Sequence, residues 1–291
     1  MKVTYKGHMG SDLEVVNAAR VSFLGESTWH DPNNEPVLKL KDMYLIKFLA
    51  RGCTSNDWNS LVKSIVDTGY DIAIVGPDLM QELLMKVKRM PSHWVPFANG
   101  GQIKMHFKVP LFVARQLQKH TAGFNPWSEV SRRYVDSDPE FYVPDVWRGR
   151  SADKKQGSTG VVPLDKLDAY TCNHIEEDWD GTAGGELGIE YNADTHYPEC
   201  SLQDDVNDST ENMKSLYLQL LKAKVAPEQA RMVLPQSMYT EFVWSGNLYA
   251  WASLYNTRSW GDSQAETANV AQQIKAIVEP LFPVSWSSLT Q

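Results

Sequence analysis

Ile103-Lys104-Met105-His106-Phe107-Lys108-Val109 alternates apolar with polar side chains, and Pro110-Leu111-Phe112-Val113-Ala114-Arg115-Gln116-Leu117 follows without a break. A period of two is the mark of a half-buried strand, because successive side chains point to opposite faces. Proline fixes φ near the helical value and lacks the N–H that a first helical turn leaves unpaired. Pro110 therefore suits the first position of a helix running towards His120. A strand feeding straight into a helix predicts a mixed α/β protein.

Working outward, Leu38 to Ala50 places Met43, Ile46 and Leu49 or Ala50 on one helical face and is closed by Gly52. Two further helical patterns fall inside residues 52–92. Residues 135–210 are rich in Asp, Gly, Ser and Asn, include Thr182-Ala183-Gly184-Gly185, and hold no sustained period, so they read as long surface loops. Regular patterning returns with a helix from about Glu211 to Ala223, burying Met213, Leu216 or Tyr217, and Leu220. Another helix starts at Pro227 and must end before Pro235. A third runs from about Asn247 to Thr257 with Leu248, Trp251, Leu254 and Tyr255 inward. Ser263-Gln264-Ala265-Glu266 reads as the capping box of a final helix, whose stripe is Val270, Ile274, Ile277 and Val278. There is no internal repeat.

A chain of 291 residues, 42% of them hydrophobic, can bury one large core, or two small ones, without disulfides or metal. No run of about 18 uncharged apolar residues occurs and Met1 to Gly10 lacks the pattern of a leader, so the expected setting is cytoplasmic, with no membrane contact. Cys53, Cys172 and Cys200 are odd in number and widely spaced, which fits reduced thiols. The net charge of −8 speaks against binding a nucleic-acid polymer, which needs many phosphates neutralised. It leaves room for a single nucleotide, since a few convergent arginines hold one phosphate on an acidic protein.

The stretch from Ala114 to Tyr134 is the richest in chemistry. Its helical half projects Arg115 and Lys119, and its loop half gathers Asn125, Ser128, Ser131, Arg132 and Arg133, donors suited to an anion and a heterocycle. By composition alone, a charged helix end followed by a polar loop is also what an ordinary solvated surface looks like.

Order and spacing add to this. Ala114-Arg115-Gln116, Lys119-His120 and Glu129-x-Ser131-x-Arg133-Tyr134 resemble the signature of flavin-dependent thymidylate synthases. In that family Ala-Arg-Gln leads into Arg-His-Arg and then Ser-x-Asn-Glu-x-Ser-x-Arg-Tyr. Here Lys119-His120 replaces Arg-His, the third residue of the triplet is missing, and Pro126-Trp127-Ser128 is inserted before Glu129. A second block is similar without a gap: Ala230-Arg231-Met232-Val233-Leu234-Pro235, Tyr239-Thr240-Glu241, Trp244, Asn247-Leu248, Leu254, Arg258 and then Gln264-x-Glu266. Ala19-Arg20-Val21-Ser22-Phe23 and Pro96-Phe97 resemble two N-terminal elements, so ordered blocks span roughly residues 18–283.

The resemblance implies a mixed α+β, flavin-dependent thymidylate synthase-like subunit in a homotetramer with shared active sites. It implies methylation of dUMP at C5, with methylenetetrahydrofolate giving the carbon, reduced FAD the hydride, and NADPH recharging the flavin. Uracil C5 is a weak nucleophile, so the ring must be held and the charge building on its carbonyls stabilised. Arg258 is the candidate for the base edge. Arg133 and Arg231, with Ser131 and Gln116, are candidates for the phosphate. Glu129 joins the substrate set, and Arg258 and Ser131 are the catalytic candidates. The resemblance turns Lys119, His120 and Asn247 towards the flavin. No cysteine lies in a matching block, as expected of a family that needs no cysteine nucleophile.

Departures fall on the flavin or folate side: the shortened triplet, Ala98-Asn99 in place of Glu-His, Tyr249 where Arg is common, and Ser253. They motivate an alternative in which water completes the reaction, giving a 5-hydroxymethyl product from dUMP or dCMP. Two other classes of reading stand beside these. Cys172-x-His174 with His196-x-x-x-Cys200 is a possible zinc pair, and the chain could be a nucleotide-binding scaffold without activity. The site set contains no metal ligand.

Overall fold

A computed structural model describes residues 1–31, 35–52, 55–67, 69, 91–135, 137–150, 158–162, 202–261 and 263–290. In chain order the elements are strand β1 (Lys2–Gly10), helices α1 (Asp12–Arg20), α2 (Leu40–Ala50), α3 (Ser55–Asp67) and α4 (Pro91–Gly100), strand β2 (Gly101–Pro110) and helix α5 (Leu111–Leu117). Strands β3 (Ser128–Glu129), β4 (Arg148–Arg150) and β5 (Ser158–Val161) follow, then helices α6 (Leu202–Lys222) and α7 (Pro227–Ala230) and a 3-10 turn, Arg231–Val233. Strand β6 (Tyr239–Asn247) leads into α8 (Leu248–Arg258), α9 (Ala265–Val278) and α10 (Pro283–Leu289). The fold is mixed α and β, as the strand-to-helix stretch at 103–117 requires.

These elements fall into two compact units. One comprises Met1–Val109, Arg115–Glu129 and Glu241–Gln291; the other comprises Pro110–Ala114 and Val130–Thr240.

The first unit is built on a four-stranded sheet in the order β1-β2-β6-β3. β1 pairs antiparallel with β2, with an irregularity between Tyr5 and Gly7, and β3 sets Glu129 opposite Phe242. Every second residue of β2 is inward: Ile103, Met105, Phe107 and Val109 are all at most 1% exposed. Phe107 stacks on Phe242 at a centroid distance of 5.0 Å and on Trp251 of α8 at 6.0 Å. The indole N–H of buried Trp251 is shared between the carbonyls of Ile103 (3.2 Å) and Gly246 (3.1 Å), so its burial leaves no donor unpaired. Leu248, Trp251 and Leu254 of the expected stripe are fully buried, whereas Tyr255 is only half-buried.

Helix α10 is anchored from the other end of the sequence. Both oxygens of buried Asp12 accept backbone N–H groups, Oδ2 from Val284 at 2.8 Å and Oδ1 from Ser285 at 2.9 Å. They fill the role of a cap that the apolar side chain of Phe282, at the N-cap position, cannot provide. A second buried carboxylate, Asp42 of α2, takes Nη2 of Arg20 at 2.5 Å and Oγ of Ser27 at 2.5 Å.

In the second unit β4 and β5 form a two-stranded antiparallel sheet. The start of α5 is tied to the segment before β6 by Leu111 N–H to Met238 O (2.9 Å) and Phe112 N–H to Gln236 O (3.2 Å). α6 packs on α7 and the 3-10 turn, with Tyr217 fully buried.

Several expectations are corrected. Residues 135–210 are not all loop: β4 and β5 lie there, and α6 begins at Leu202 rather than near Glu211. The first turns of α6 carry Asp, Asn and Ser on a largely exposed surface, so no apolar period marks them. Met213 and Leu216 are 39% and 40% exposed, and among the described side chains of that helix Tyr217 is the buried one. The capping box at Ser263 does not form. Gln264 takes the N-cap position without a side-chain capping bond, while Ser263 Oγ donates back to Thr257 O at 3.2 Å. Of the two helical patterns within 52–92, α3 is one; residues 70–90 lie outside the described set, as do residues 163–201.

Candidate functional site

The strand-to-helix stretch delivers Gln116 to the end of α5, and the turn that follows brings His120 N–H back to Leu117 O at 3.0 Å. Arg258 comes from the last turn of α8. Its Nε donates to Nε2 of His120 at 3.0 Å and its Nη2 to the backbone oxygen of Gln116 at 3.0 Å. The side-chain amide of Gln116 is also engaged: Thr267 Oγ1 donates to its Oε1 at 3.0 Å, and its Nε2 donates to Gln264 Oε1. Three of the residues singled out in the sequence, Gln116, His120 and Arg258, thus form one hydrogen-bonded knot.

Electrostatics fix the state of this knot. Burial first, and the charge of Arg258 second, lower the His120 pKa to about 4, so the ring is neutral near pH 7. Because Nε2 accepts from Arg258, the ring proton sits on Nδ1. Burial also lowers the Arg258 pKa, but a guanidinium starts so high that it stays charged. A charged fork held by a neutral imidazole and a carbonyl keeps its full charge for an electron-rich carbonyl or an anion.

Asn247 does a structural task at the opposite end of α8. It is the N-cap, its Oδ1 accepting from Ala250 N–H at 2.8 Å, and its backbone N–H bonds Gly123 O at 2.9 Å. A helical rise of ~1.5 Å per residue separates it from Arg258 by about 16 Å along the axis. Gly123, at φ +79, approaches so closely that an added Cβ would lie 2.6 Å from Asn247 Nδ2. Lys119 and Arg115 are exposed, as expected of the charged side of this segment.

Glu129, on β3, is exposed and accepts from the indole N–H of Trp127 at 3.1 Å. In the second unit, Ser131 Oγ accepts from both the backbone N–H (3.3 Å) and Nε (3.5 Å) of Arg133. The Arg133 guanidinium lies over the Tyr134 ring at 5.2 Å. Arg231 opens the 3-10 turn before Pro235 and is exposed, a cation available to an anion.

Thr267 and Trp127 were not singled out by sequence reasoning, although both touch residues that were. Thr267 gave no signal beyond its place after Gln264 and Glu266, and Trp127 was visible only as part of an insertion. Among the described residues no group of three or more His, Cys, Asp or Glu is placed to hold a metal. The Cys172/His174 and His196/Cys200 pairs lie outside them. No helix among the described residues is long and apolar enough to cross a membrane.

A family model described as thymidylate synthase complementing protein matches residues 6–284. A flavin-dependent thymidylate synthase of Thermus thermophilus is 30% identical over 189 residues, 65% of this chain and 56% of that protein. One from Thermosipho melanesiensis is 31% identical over 197 residues, 68% of this chain and 71% of its own length. The chain therefore spans little more than half the length of the Thermus relative it matches. Among solved structures, the UMP/dUMP methylase PolB from Streptomyces cacaoi bound with 5-Br dUMP superposes with a TM-score of 0.61 at 22% identity. The match covers 99% of this chain and 94% of that one, a likeness of fold.

Proposed function

Since this chain belongs to the flavin-dependent thymidylate synthase family, we propose that it transfers a one-carbon unit from methylenetetrahydrofolate to C5 of dUMP, forming dTMP. The observation that carries the reading is the knot of Gln116, His120 and Arg258, assembled from the two sequence blocks that resemble the family. The name of the solved relative, a UMP/dUMP methylase, supports the same substrate class.

In this reading Arg258 faces the base, and its charge stabilises negative charge that builds on a uracil carbonyl as C5 attacks. Its geometry is set in advance by His120 and Gln116, so little reorganisation accompanies the reaction. Ser131, Arg133 and Arg231 bind the phosphate, guanidinium forks matching its oxygens. Gln116 serves through its backbone oxygen and its amide, and Glu129 offers an acceptor to donor groups of the nucleotide. The whole chain acts as one catalytic domain, with the segments at about 52–92 and 135–210 as expansions.

FAD fits part of the residue set. Exposed Lys119 suits the pyrophosphate of a dinucleotide, and the Nδ1–H of neutral His120 suits a ring acceptor. Asn247 fits less freely, because its Oδ1 is spent on the helix cap. When bound, reduced flavin supplies the hydride that completes the methyl group, with NADPH as the source of reducing equivalents. We place the enzyme in the cytoplasm as a homotetramer.

Thermal unfolding with added nucleotide tests the substrate assignment, because a ligand that binds only the folded state raises its stability. dUMP is expected to raise Tm in the wild type and to lose that effect in Arg258→Met. No shift with any pyrimidine nucleotide would overturn the reading.

A further inference from the structure

Trp127 belongs to the run Pro126-Trp127-Ser128, which reads as an insertion in the resemblance to the family's loop, and it is firmly seated. Its ring stacks on Phe242 at 4.0 Å and 29°, and meets Trp244 edge-on at 5.3 Å and 82°. Phe242 and Trp244 are 1% and 3% exposed, and Phe242 stacks in turn on Phe107. An inserted side chain is thus laid on the aromatic core of the sheet.

From that platform the indole N–H donates to Glu129 Oε2 at 3.1 Å. An indole N–H only donates and an ionised carboxylate only accepts, so the direction of this bond is fixed. Glu129 is further held by its backbone, which pairs with Phe242 across β3 and β6. A long, exposed glutamate otherwise loses side-chain entropy whenever it must adopt one orientation for a ligand. Here a rigid aromatic neighbour has imposed the orientation beforehand.

We propose that Trp127 is a positioning residue that orients the Glu129 carboxylate to accept a hydrogen bond from a donor group of the nucleotide, a sugar hydroxyl or a ring N–H. The proposal rests on the reading of Glu129 as a substrate residue.

The test is a double-mutant cycle of Trp127→Phe, which keeps the stacked ring and removes the N–H, with Glu129→Gln. Calorimetry gives the Kd for dUMP, turnover assays give KM and kcat, and thermal unfolding reports integrity. Trp127→Phe is expected to raise Kd and KM about 5- to 10-fold, in keeping with the net weight of an ordinary hydrogen bond, with kcat and Tm close to wild type. The double variant is expected to bind no more weakly than Glu129→Gln alone. Additive losses, or a Trp127→Phe enzyme that binds like wild type while Glu129→Gln does not, would overturn the proposal. If Glu129→Gln binds dUMP normally, the proposal falls while the functional reading stands; if the wild type binds no dUMP, both fall.

Discussion

Arg258 donates from Nε to Nε2 of His120, 138 residues earlier in the chain, at 3.0 Å. The contact explains why two residues that resemble separate family blocks act as one unit. It makes the imidazole an acceptor that holds a cation in place, while burial first and the cation second keep the imidazole neutral.

A neutral His120 has a titration signature. Its pKa of about 4 lies below the ordinary 6.5, so the unfolded chain binds the proton more readily than the folded one between those values. The stability this residue contributes is therefore complete above about pH 6.5 and is lost as pH falls towards 4. Histidine ¹⁵N NMR should give a midpoint near 4 with the ring proton on Nδ1, and Arg258→Met should move that midpoint upward. A midpoint unchanged by Arg258→Met would contradict the pairing.

Arg258→Lys tests geometry rather than charge. An ammonium cannot reproduce the fork that reaches both His120 and the Gln116 carbonyl. Nucleotide affinity should fall about 10- to 100-fold, the weight of one or two charge-assisted hydrogen bonds, with Tm little altered.

Asp12 supports the fold through the start of α10. Asp12→Ala leaves the N–H groups of Val284 and Ser285 without their acceptor and should destabilise the first unit by about 1–3 kcal/mol, read by denaturant unfolding. Burial, opposed by bonds from Ser285 and Val284, raises its pKa above 3.8. A raised carboxyl contributes most below its unfolded value and loses that contribution as pH climbs through the folded one. The stability of wild type relative to Asp12→Asn should therefore increase as pH falls.

Gly123→Ala probes the loop packed against the start of α8. The residue sits at φ +79, a conformation that costs a residue with a Cβ about 1–2 kcal/mol, and its Cβ would press on Asn247. Lower Tm and a frayed start of α8, seen as faster amide exchange at Ala250, are the expected results.

The strand Ile103–Val109, the helix after Pro110 and the stripe of Leu248, Trp251 and Leu254 were legible because burial there follows a strict period. β1 and β6 were not recognised. In β6 the inward residues are Thr240, Phe242, Trp244 and Gly246, and a threonine and a glycine hide the alternation. α10 was missed because its cap, Asp12, lies 272 residues away from Val284. For the site, residue order pointed to Gln116, His120 and Arg258, but only coordinates could show that they touch one another. Asn247, read as a flavin contact, has a helix-capping role that local sequence did not announce.

Mass analysis of the nucleotide after incubation with dUMP, methylenetetrahydrofolate, FAD and NADPH tests the central claim most directly. The account predicts a product heavier than dUMP by one CH2 unit that co-elutes with dTMP and is absent with Arg258→Met. Unchanged dUMP, or a product carrying a hydroxymethyl group instead, would contradict it.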